Sequence, residues 1–322
     1  MKILVTGAAG FLGSRLARAL LAGAPGLPKV SKLVAVDIAA CHIDDPRVDW
    51  KTGTIADDRF TNSVVEADVD AVYHLAAVVS GQAEAEFDVG MRVNVDATRA
   101  LLEVCRRLEK PPRFIFTSTL AVFGGSLPAI VPDDIAVVPQ SSYGSEKAIA
   151  ELLVNEYSRK RFIDGIVCRL PTVAVRSGTA NAAASSFVSG IIREPLAGID
   201  TVCPVPLGTR FWITSPELVT ANLVHAARVQ TSDLEDRRTV NLPGLSVTPE
   251  EILDSLERVA GPAVRARVRC ELDQRIMHIV CTWPGAFDAS RALRLGFSAD
   301  RDIDSIVRQF MAERLHERPK SE

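Results

Sequence analysis

The sequence predicts an α/β protein with a doubly wound parallel sheet and a smaller C-terminal lobe. Through the first 170 residues, short apolar runs alternate with segments of helical periodicity. Strands separated by helices form βαβ units, and these build parallel sheets. After Pro171 the chain becomes rich in small residues and prolines. We therefore predict a sheet-forming part at 1–170 and a lobe at 171–322, folded over the carboxyl ends of the strands, where open α/β sheets bind ligands.

Each predicted element follows from its periodicity. Apolar runs of four to six residues indicate buried strands, and apolar residues spaced three or four apart indicate helices. The predicted strands are 2–6, 33–36, 48–51, 71–75, 113–117, 166–170 and 240–242. The predicted helices are 11–21, 84–108, 143–161, one ending near 195, 249–260 and 303–315. Segments around 238–262 are expected to return to the main sheet.

Composition excludes several kinds of partner. A net charge of −3 over 322 residues gives no electrostatic reason to expect nucleic acid or an acidic membrane. The chain enters a strand at once and has no run of 18 apolar residues, so we expect a cytoplasmic protein. Its six cysteines are scattered without a C-x-x-C pair, which favours reduced thiols and no metal site.

A glycine motif stands between the first predicted strand and helix, at Gly7, Gly10 and Gly13. The first glycine permits a tight turn, the second lets backbone approach a pyrophosphate, and the third allows close helix packing. The helix N-terminus then presents free N–H groups to the anion. This placement predicts a Rossmann-type dinucleotide site.

Asp37 ends the second predicted strand. A carboxylate there accepts hydrogen bonds from the adenosine ribose and repels a 2′-phosphate. Because no arginine follows closely, we predict NAD and not NADP.

Tyr143 and Lys147 are four residues apart at the start of a predicted helix, so they share one face. A neighbouring cation favours phenolate and lowers a tyrosine pKa from its usual ~10, as a general base requires. An exposed tyrosine beside a lysine is the alternative interpretation. Upstream, the hydroxyl cluster 117–119 follows the fifth strand.

These motifs together resemble the extended group of the short-chain dehydrogenase/reductase superfamily, the NAD-dependent epimerase/dehydratase family. Supporting motifs are His74-Leu-Ala-Ala77, Asn94-Val-Asp-Ala-Thr98 and the stretch 116–124. The resemblance implies that Tyr143 removes a proton from a secondary hydroxyl while hydride passes to nicotinamide. Lys147 would hold the nicotinamide ribose, Thr119 would bond the reacting oxygen, and Ser118 would contact substrate or cofactor. Alternatively, the two hydroxyls satisfy only backbone groups.

The resemblance also implies a set of cofactor contacts. Threonine stands at 54, where an aspartate usually meets the adenine amine, so this contact is expected to move to Ile55. We expect His74 to support its loop and not to catalyse. Asn94, a poor helix former, is expected to bond buried backbone. The implied NAD contacts are Gly7, Gly10, Phe11, Leu12, Gly13, Asp37, Ile38, Thr54, Ile55, Leu75, Ala76, Ala77, Asn94, Tyr143, Lys147, Pro171 and Val173.

Within the family, the stretches 76–88, 183–197 and 240–247 are similar to the D-erythronate dehydrogenases. This similarity implies NAD-dependent oxidation of a small sugar acid, D-erythronate, at its carbon-2 hydroxyl. The segment after Val175, Arg176-Ser-Gly-Thr-Ala-Asn181, departs from the basic and proline residues of the subgroup pattern. Arg193 and Arg210 are further candidate carboxylate donors, but Ser80 and Asn181 are favoured. The implied substrate contacts are Ser80, Ser118, Thr119, Tyr143, Arg176 and Asn181.

Three alternatives remain open from the sequence. One is a nucleotide-sugar epimerase or dehydratase, another is a dehydrogenase of a uronate or a different aldonate, and the third is a protein that senses NAD without catalysis. The resemblance further implies a homodimer through the helices predicted at 84–108 and 143–161. The apolar surface for that contact is expected from Leu101, Val104, Ile149, Leu152 and Leu153.

Overall fold

A computed structural model of the chain describes residues 1–40, 43–178 and 185–317. The strands of the first half are β1 (Lys2–Thr6), β2 (Lys32–Asp37), β3 (Val48–Thr52), β4 (Ala71–His74), β5 (Arg113–Thr119) and β6 (Asp164–Leu170). Those of the second half are β7 (Thr172–Val173), β8 (Thr201–Cys203), β9 (Phe211–Thr214), β10 (Thr239–Asn241), β11 (Leu245–Val247) and β12 (Val268–Cys270).

Seven of these described strands form one parallel sheet in the order β10-β6-β5-β4-β1-β2-β3. The predicted fold class is therefore confirmed. Strand order reverses beside β1, which pairs with both β2 and β4. At such a reversal the loops that leave neighbouring strands diverge and open a crevice for a ligand. The turn after β1 and the loops after β4 and β5 meet at this edge.

The helices lie on both faces of the sheet and in the C-terminal lobe. Those before residue 160 are α1 (Phe11–Ala22), α2 (Asp58–Val64), α3 (Ser80–Ala85), α4 (Phe87–Gly90), α5 (Ala97–Arg106) and α6 (Ser142–Arg159). The later ones are α7 (Ser186–Leu196), α8 (Pro216–Ala226), α9 (Pro249–Ala260), α10 (Pro262–Arg265), α11 (Gln274–Val280), α12 (Ser290–Arg294) and α13 (Ile303–Glu317). Within the described ranges, the helices lack the length and apolar character that crossing a bilayer requires.

The prediction of one continuous helix at 84–108 was wrong. The chain instead runs through α3, α4, a wider π-helical turn at Met91–Asp96, and α5. A Cβ on Gly90 would lie 2.2 Å from the Glu146 carboxylate, so α6 packs directly on the backbone here. The π-helical turn carries Asn94, whose side chain bonds both Glu146 and the backbone of Val78. These contacts outweigh the regular helical pattern of the sequence.

Apolar side chains fill the space on each side of the sheet. One core lies under α1 and α8, and a second lies under α2, α5 and α6. A third core holds the C-terminal lobe together between α7, α9 and α13. β10 lies beside β6 in the main sheet, so the segment after residue 238 crosses back from the lobe. The C-terminal lobe is thus connected to the main sheet through its outermost strand, β10.

Candidate active site

The glycine turn after β1 is a close-packed cradle of backbone. Gly7 has a φ of +74°, and a Cβ there would lie 2.7 Å from the backbone nitrogen of Ala76. A Cβ on Gly13 would lie 2.0 Å from the carbonyl oxygen of Gly7. Among the described residues, no side chain caps α1 after Gly10, so its first N–H groups are available to an anion. The cradle fits a dinucleotide pyrophosphate.

Asp37 stands beside this turn. Its carboxylate accepts hydrogen bonds from the N–H groups of Ala9 at 2.9 Å and Ala39 at 3.1 Å. Each carboxylate oxygen has a second lone pair, which suits a ribose hydroxyl. The side chain of Ile55 packs into the core, so the predicted adenine contact at this position would fall to its backbone. Ile38, which is 75% exposed, offers apolar surface next to Asp37.

The other predicted cofactor residues lie along the same edge of the sheet. Thr54 is exposed on the loop after β3, and Phe11 and Leu12 are half-buried in the first turn of α1. The half-buried loop after β4 carries Leu75, Ala76 and Ala77. Pro171 and Val173 follow β6 and are buried, so backbone is what they present.

α6 begins with tightly specified contacts that place Tyr143. The hydroxyl of Ser141 accepts a hydrogen bond from Gly144 N–H at 3.2 Å, and Glu84 accepts one from Ser142 N–H at 2.9 Å. A Cβ on Gly144 would lie 2.1 Å from the carbonyl oxygen of Ala121. The first turn of α6 therefore packs on the turn that follows β5. The sequence pattern did not point to this role for Gly144, because the contact with Ala121 joins two separate segments.

Tyr143 is held as a neutral phenol. Burial raises its pKa to about 12, the charge of Arg176 opposes this shift, and that of Glu146 adds to it. The prediction that Lys147 brings this pKa below ~10 was wrong for the protein on its own, because desolvation outweighs the nearby positive charge. Arg176 is a cation that favours the phenolate.

Lys147 is almost completely buried one turn further along α6. Its Nζ lies 4.2 Å from the centroid of the Phe116 ring. Burial lowers its pKa to about 7, and the charges of Glu151 and Glu146 oppose this shift. The amine therefore changes its charge close to neutral pH.

The two hydroxyls at the end of β5 have different roles. Thr119 accepts a hydrogen bond from Ala121 N–H at 3.2 Å, which uses a lone pair and not its proton. Ser118 is buried and donates to Glu151 at 2.5 Å, and Glu151 pairs with Arg169 at 2.6 Å. The Ser118 hydroxyl therefore belongs to a buried network, and its assignment to catalysis and substrate contact stays a prediction.

His74 supports the site from within the core, as predicted. Its ring nitrogens lie 2.7 Å and 2.9 Å from the hydroxyls of Thr6 and Thr98. Burial, followed by the charge of Lys147, lowers its pKa to about 3, so the ring is neutral.

Asn94 confirms the expected bonds to buried backbone. It accepts from Val78 N–H at 2.9 Å and donates to Val78 O at 3.0 Å and to Glu146 at 2.6 Å. Since its amide is used in this way, Asn94 orders the loop after β4 beside the cofactor cradle.

Among the described residues that were predicted as carboxylate donors, Arg176 is the one whose charge shifts the pKa of Tyr143. Tyr143 and Arg176 each shift the pKa of the other. α7 holds the backbone of Arg176, because Ser189 accepts from its N–H at 3.1 Å and Arg193 donates to its carbonyl at 2.8 Å. The next residues after Arg176 lead toward Asn181, which lies outside the described residues.

The other three candidate carboxylate donors in the described ranges have different surroundings. Arg193 is buried and forms an ion pair with Glu194 at 2.5 Å. Arg210 is half exposed and lies 3.7 Å from Glu251. Ser80 is buried at the start of α3, which packs against α6.

The parallel sheet carries a glycine cradle after its first strand, which fits a dinucleotide, and Tyr143 and Lys147 lie one turn apart at the start of α6. The molecule is therefore an oxidoreductase that uses NAD. Over residues 3–241 the chain matches the NAD dependent epimerase/dehydratase family, and it belongs to that family.

Relatives of similar length carry more specific names. A D-erythronate dehydrogenase from Cupriavidus necator is 52% identical over 319 residues, which are 97% of this chain and 98% of that protein. A D-erythronate dehydrogenase from Haemophilus influenzae is 44% identical over 313 residues, 97% of this chain and 99% of that protein. The crystal structure of the nucleoside-diphosphate-sugar epimerase from Agrobacterium tumefaciens has a TM-score of 0.92 and 40% identity, and the alignment covers 98% of this chain and 95% of that one.

Proposed function

We propose that this enzyme oxidises D-erythronate at its carbon-2 hydroxyl with NAD, giving 2-dehydro-D-erythronate. The observation that carries the proposal is the 52% identity to a D-erythronate dehydrogenase over 97% of this chain, and Arg176, whose charge lowers the pKa of Tyr143, suits a substrate with a carboxylate. The carboxylate of a 2-hydroxy acid is bonded to the carbon that reacts. Its cationic partner must therefore lie beside the general base. The two D-erythronate dehydrogenases similar over nearly the whole chain support this substrate.

In this proposal the two parts of the chain have different roles. Residues 1–170 bind NAD through the glycine cradle and Asp37, and the lobe at 171–322 supplies Arg176. When bound, NAD accepts the hydride from carbon 2 and brings a positively charged ring to the site. As a phenolate, the form that the positive charges of bound NAD, Lys147 and Arg176 favour, Tyr143 would take the hydroxyl proton, and Thr119 would donate to the reacting oxygen. Lys147 holds the nicotinamide ribose and adds positive charge beneath the phenol.

Arg176 reads the substrate carboxylate in this proposal. A guanidinium binds a carboxylate through two parallel hydrogen bonds, which also fixes the orientation of carbon 2. Ser80 and Asn181, which the sequence analysis favoured as carboxylate donors, bind substrate hydroxyls in this proposal, and Asn181 follows Arg176 in the same segment. Ser118 is assigned to the support of Lys147.

The first experiment measures NADH formation from a panel of acids. We expect D-erythronate to be oxidised faster than other aldonates and uronates, with NAD preferred over NADP. Tyr143→Phe keeps the ring and should lower the rate at least ~100-fold while NAD still binds. Activity on another hydroxy acid and none on D-erythronate would refute the substrate. Interconversion of a UDP-sugar without net NADH would support the epimerase alternative, and NAD binding with no turnover would support a sensor.

A second experiment tests Arg176 directly. Arg176→Met should raise KM for D-erythronate about 10- to 100-fold, since a charged hydrogen-bonding pair is lost. The Kd for NAD should stay within about twofold of the wild-type value. Erythritol, which has the same carbon chain without the carboxylate, is the control substrate: its oxidation should not respond to the change in the same way. An unaltered KM for D-erythronate would move the carboxylate site elsewhere.

We also propose that the enzyme works as a homodimer in the cytoplasm. The cysteines within the described ranges are unpaired: Cys105, Cys168, Cys203, Cys270 and Cys281. Free thiols fit a reducing compartment, where NAD-dependent sugar-acid metabolism also takes place.

A further inference from the structure

Glu146 is a buried glutamate on the first turns of α6, between Tyr143 and Lys147. It directly precedes Lys147 and lies three residues after Tyr143 on α6. Residues three apart on a helix share a face, with Cβ atoms about 5–6 Å apart. Its side chain is completely buried. A buried carboxyl group therefore shares a helix face with Tyr143 and adjoins Lys147 along the chain, away from bulk water.

The surroundings of Glu146 fix its carboxyl group without satisfying it. Oε2 accepts a hydrogen bond from Asn94 at 2.6 Å, and the missing side chain at Gly90 makes room for the group. Among the described residues, the buried oxygen Oε1 has no hydrogen-bond partner. A glutamine would fill the same space and accept the same bond from Asn94 without the desolvation of an acid. Structural support alone does not explain the choice of an acid.

The charged groups that act on Glu146 and its neighbours lie on α6 itself, on α3 and at Arg176. Burial raises the pKa of Glu146, Lys147 opposes this, and Glu84 on α3 adds to it. The pKa of Tyr143 is raised by Glu146 and lowered by Arg176. For Lys147, the ammonium form is favoured by both Glu146 and Glu151. Glu146 is the carboxyl group common to the environments of both catalytic side chains.

We propose that Glu146 is a positioning residue that controls the charge of the Tyr143–Lys147 pair and so sets the pH range in which the enzyme works. As a carboxylate it keeps Lys147 as ammonium and Tyr143 as phenol. As a neutral acid it favours loss of the proton from both. The proposal rests on the proposed role of Tyr143 as the base.

Glu146→Gln tests this with little change of shape. We expect both limbs of the pH profile of kcat/KM for D-erythronate to move to lower pH by about one unit, because one negative charge near both groups is removed. Both limbs move in the same direction, since a negative charge raises the pKa of a phenol and of an ammonium alike. The matched control is Glu156→Gln at the exposed end of α6, which should leave the profile unchanged. A wild-type profile in a folded Glu146→Gln enzyme would overturn the proposal.

A second measurement does not depend on the substrate. The chain has three tyrosines, so the ¹³Cζ resonance of Tyr143 can be assigned with Tyr143→Phe and titrated by NMR. In Glu146→Gln the ionisation of Tyr143 should shift to lower pH, and an unchanged titration would overturn the proposal even where D-erythronate is not the substrate. Should the variant fail to fold, the wild-type Tyr143 resonance must show a second inflection from Glu146. A single inflection would count against the proposal.

Discussion

At the residue scale, burial of the Lys147 amine makes the stability of the fold depend on pH. Lys147 is 2% exposed, and its pKa of about 7 lies below the 10.5 of a free lysine. Between these two values the unfolded chain binds a proton that the folded chain does not. Stability should therefore rise with pH across this window, and the full penalty of the buried ammonium is felt below about pH 7.

Lys147→Met should make the protein more stable and inactive. The substitution keeps an unbranched apolar stem against Phe116 and removes the buried amine. We expect a gain of at least ~1 kcal/mol in the free energy of unfolding at pH 6, shrinking toward pH 10. Urea unfolding at several pH values measures it. A loss of stability that is the same at every pH would mean that the amine is satisfied in the fold, contrary to this account.

Asp37→Ser should change cofactor choice. The wild-type carboxylate accepts from the ribose and repels a 2′-phosphate, so NAD should bind more weakly and NADP more tightly in the variant. We expect the ratio of the two Kd values to move at least ~10-fold toward NADP. Equal ratios in both proteins would remove Asp37 from the cofactor site. Asp57→Ser, at the cap of α2, controls for the loss of a carboxylate.

A site residue can be predicted from the sequence when its partners lie close to it along the chain. The glycines and the Tyr143–Lys147 pair act through short, fixed separations along the chain, so their geometry can be predicted. Arg176 reaches Tyr143 only because the lobe folds over the sheet. Glu146 is polar at a buried helical position, and that burial depends on Gly90 and Asn94 from another segment. Long-range contacts of this kind leave no local pattern.

At the scale of elements, a buried network joins α6 to three strands. Glu151 on α6 accepts a hydrogen bond from the Ser118 hydroxyl of β5. It also accepts two from the Arg169 guanidinium of β6, at 2.6 Å and 2.9 Å. Arg169 also donates to Asn241 of β10 at 3.3 Å and lies over the ring of Phe123. The helix that carries the catalytic pair is thereby fixed to the strand that returns from the lobe.

Arg169→Met should destabilise the protein by about 3–5 kcal/mol, because it leaves the charge of Glu151 buried without its partner. Adding Glu151→Met should recover much of this loss, since the lone charge is then gone. Arg159→Met is the matched control: its pair with Glu156 is exposed and should contribute ~1 kcal/mol or less. Chemical unfolding of the four proteins measures the differences. Equal losses for Arg169→Met and Arg159→Met would contradict the network.

The helix predicted at 84–108 shows a feature of secondary structure that the sequence pattern alone does not predict. Its apolar spacing is helical throughout, and the sequence signals for a break are Gly90 and Asn94. Neither signal is strong, since both residues occur inside helices at a modest loss of stability. The π-helical turn forms because Asn94 must reach Val78 and Glu146 at once. Those partners come from other segments, so the break is a property of the packed structure.

At the scale of the whole molecule, the surface for a dimer is narrower than the sequence suggested. Leu101 and Val104 were expected there, but both are buried in the core of the protomer. Leu153 is half-buried against the same core. What remains exposed on α6 is Ile149 at 39% and Leu152 at 68%, with Phe87 of α4 exposed as well. Ile149 and Leu152 are three residues apart and form one apolar stripe.

We predict that this stripe pairs with its copy across a two-fold axis, so that α5 and α6 of two protomers form a four-helix contact. Wild-type protein should sediment as a dimer at micromolar concentration. Leu152→Glu places two carboxylates opposite each other in an isologous contact, and should give monomers without loss of fold. Leu272→Glu, at an exposed leucine of the C-terminal lobe, is the matched control and should stay dimeric. A monomeric wild type would remove the contact altogether. A Leu152→Glu protein that still sediments as a dimer would place the interface on another face, and Leu272 would then be the next apolar surface to substitute.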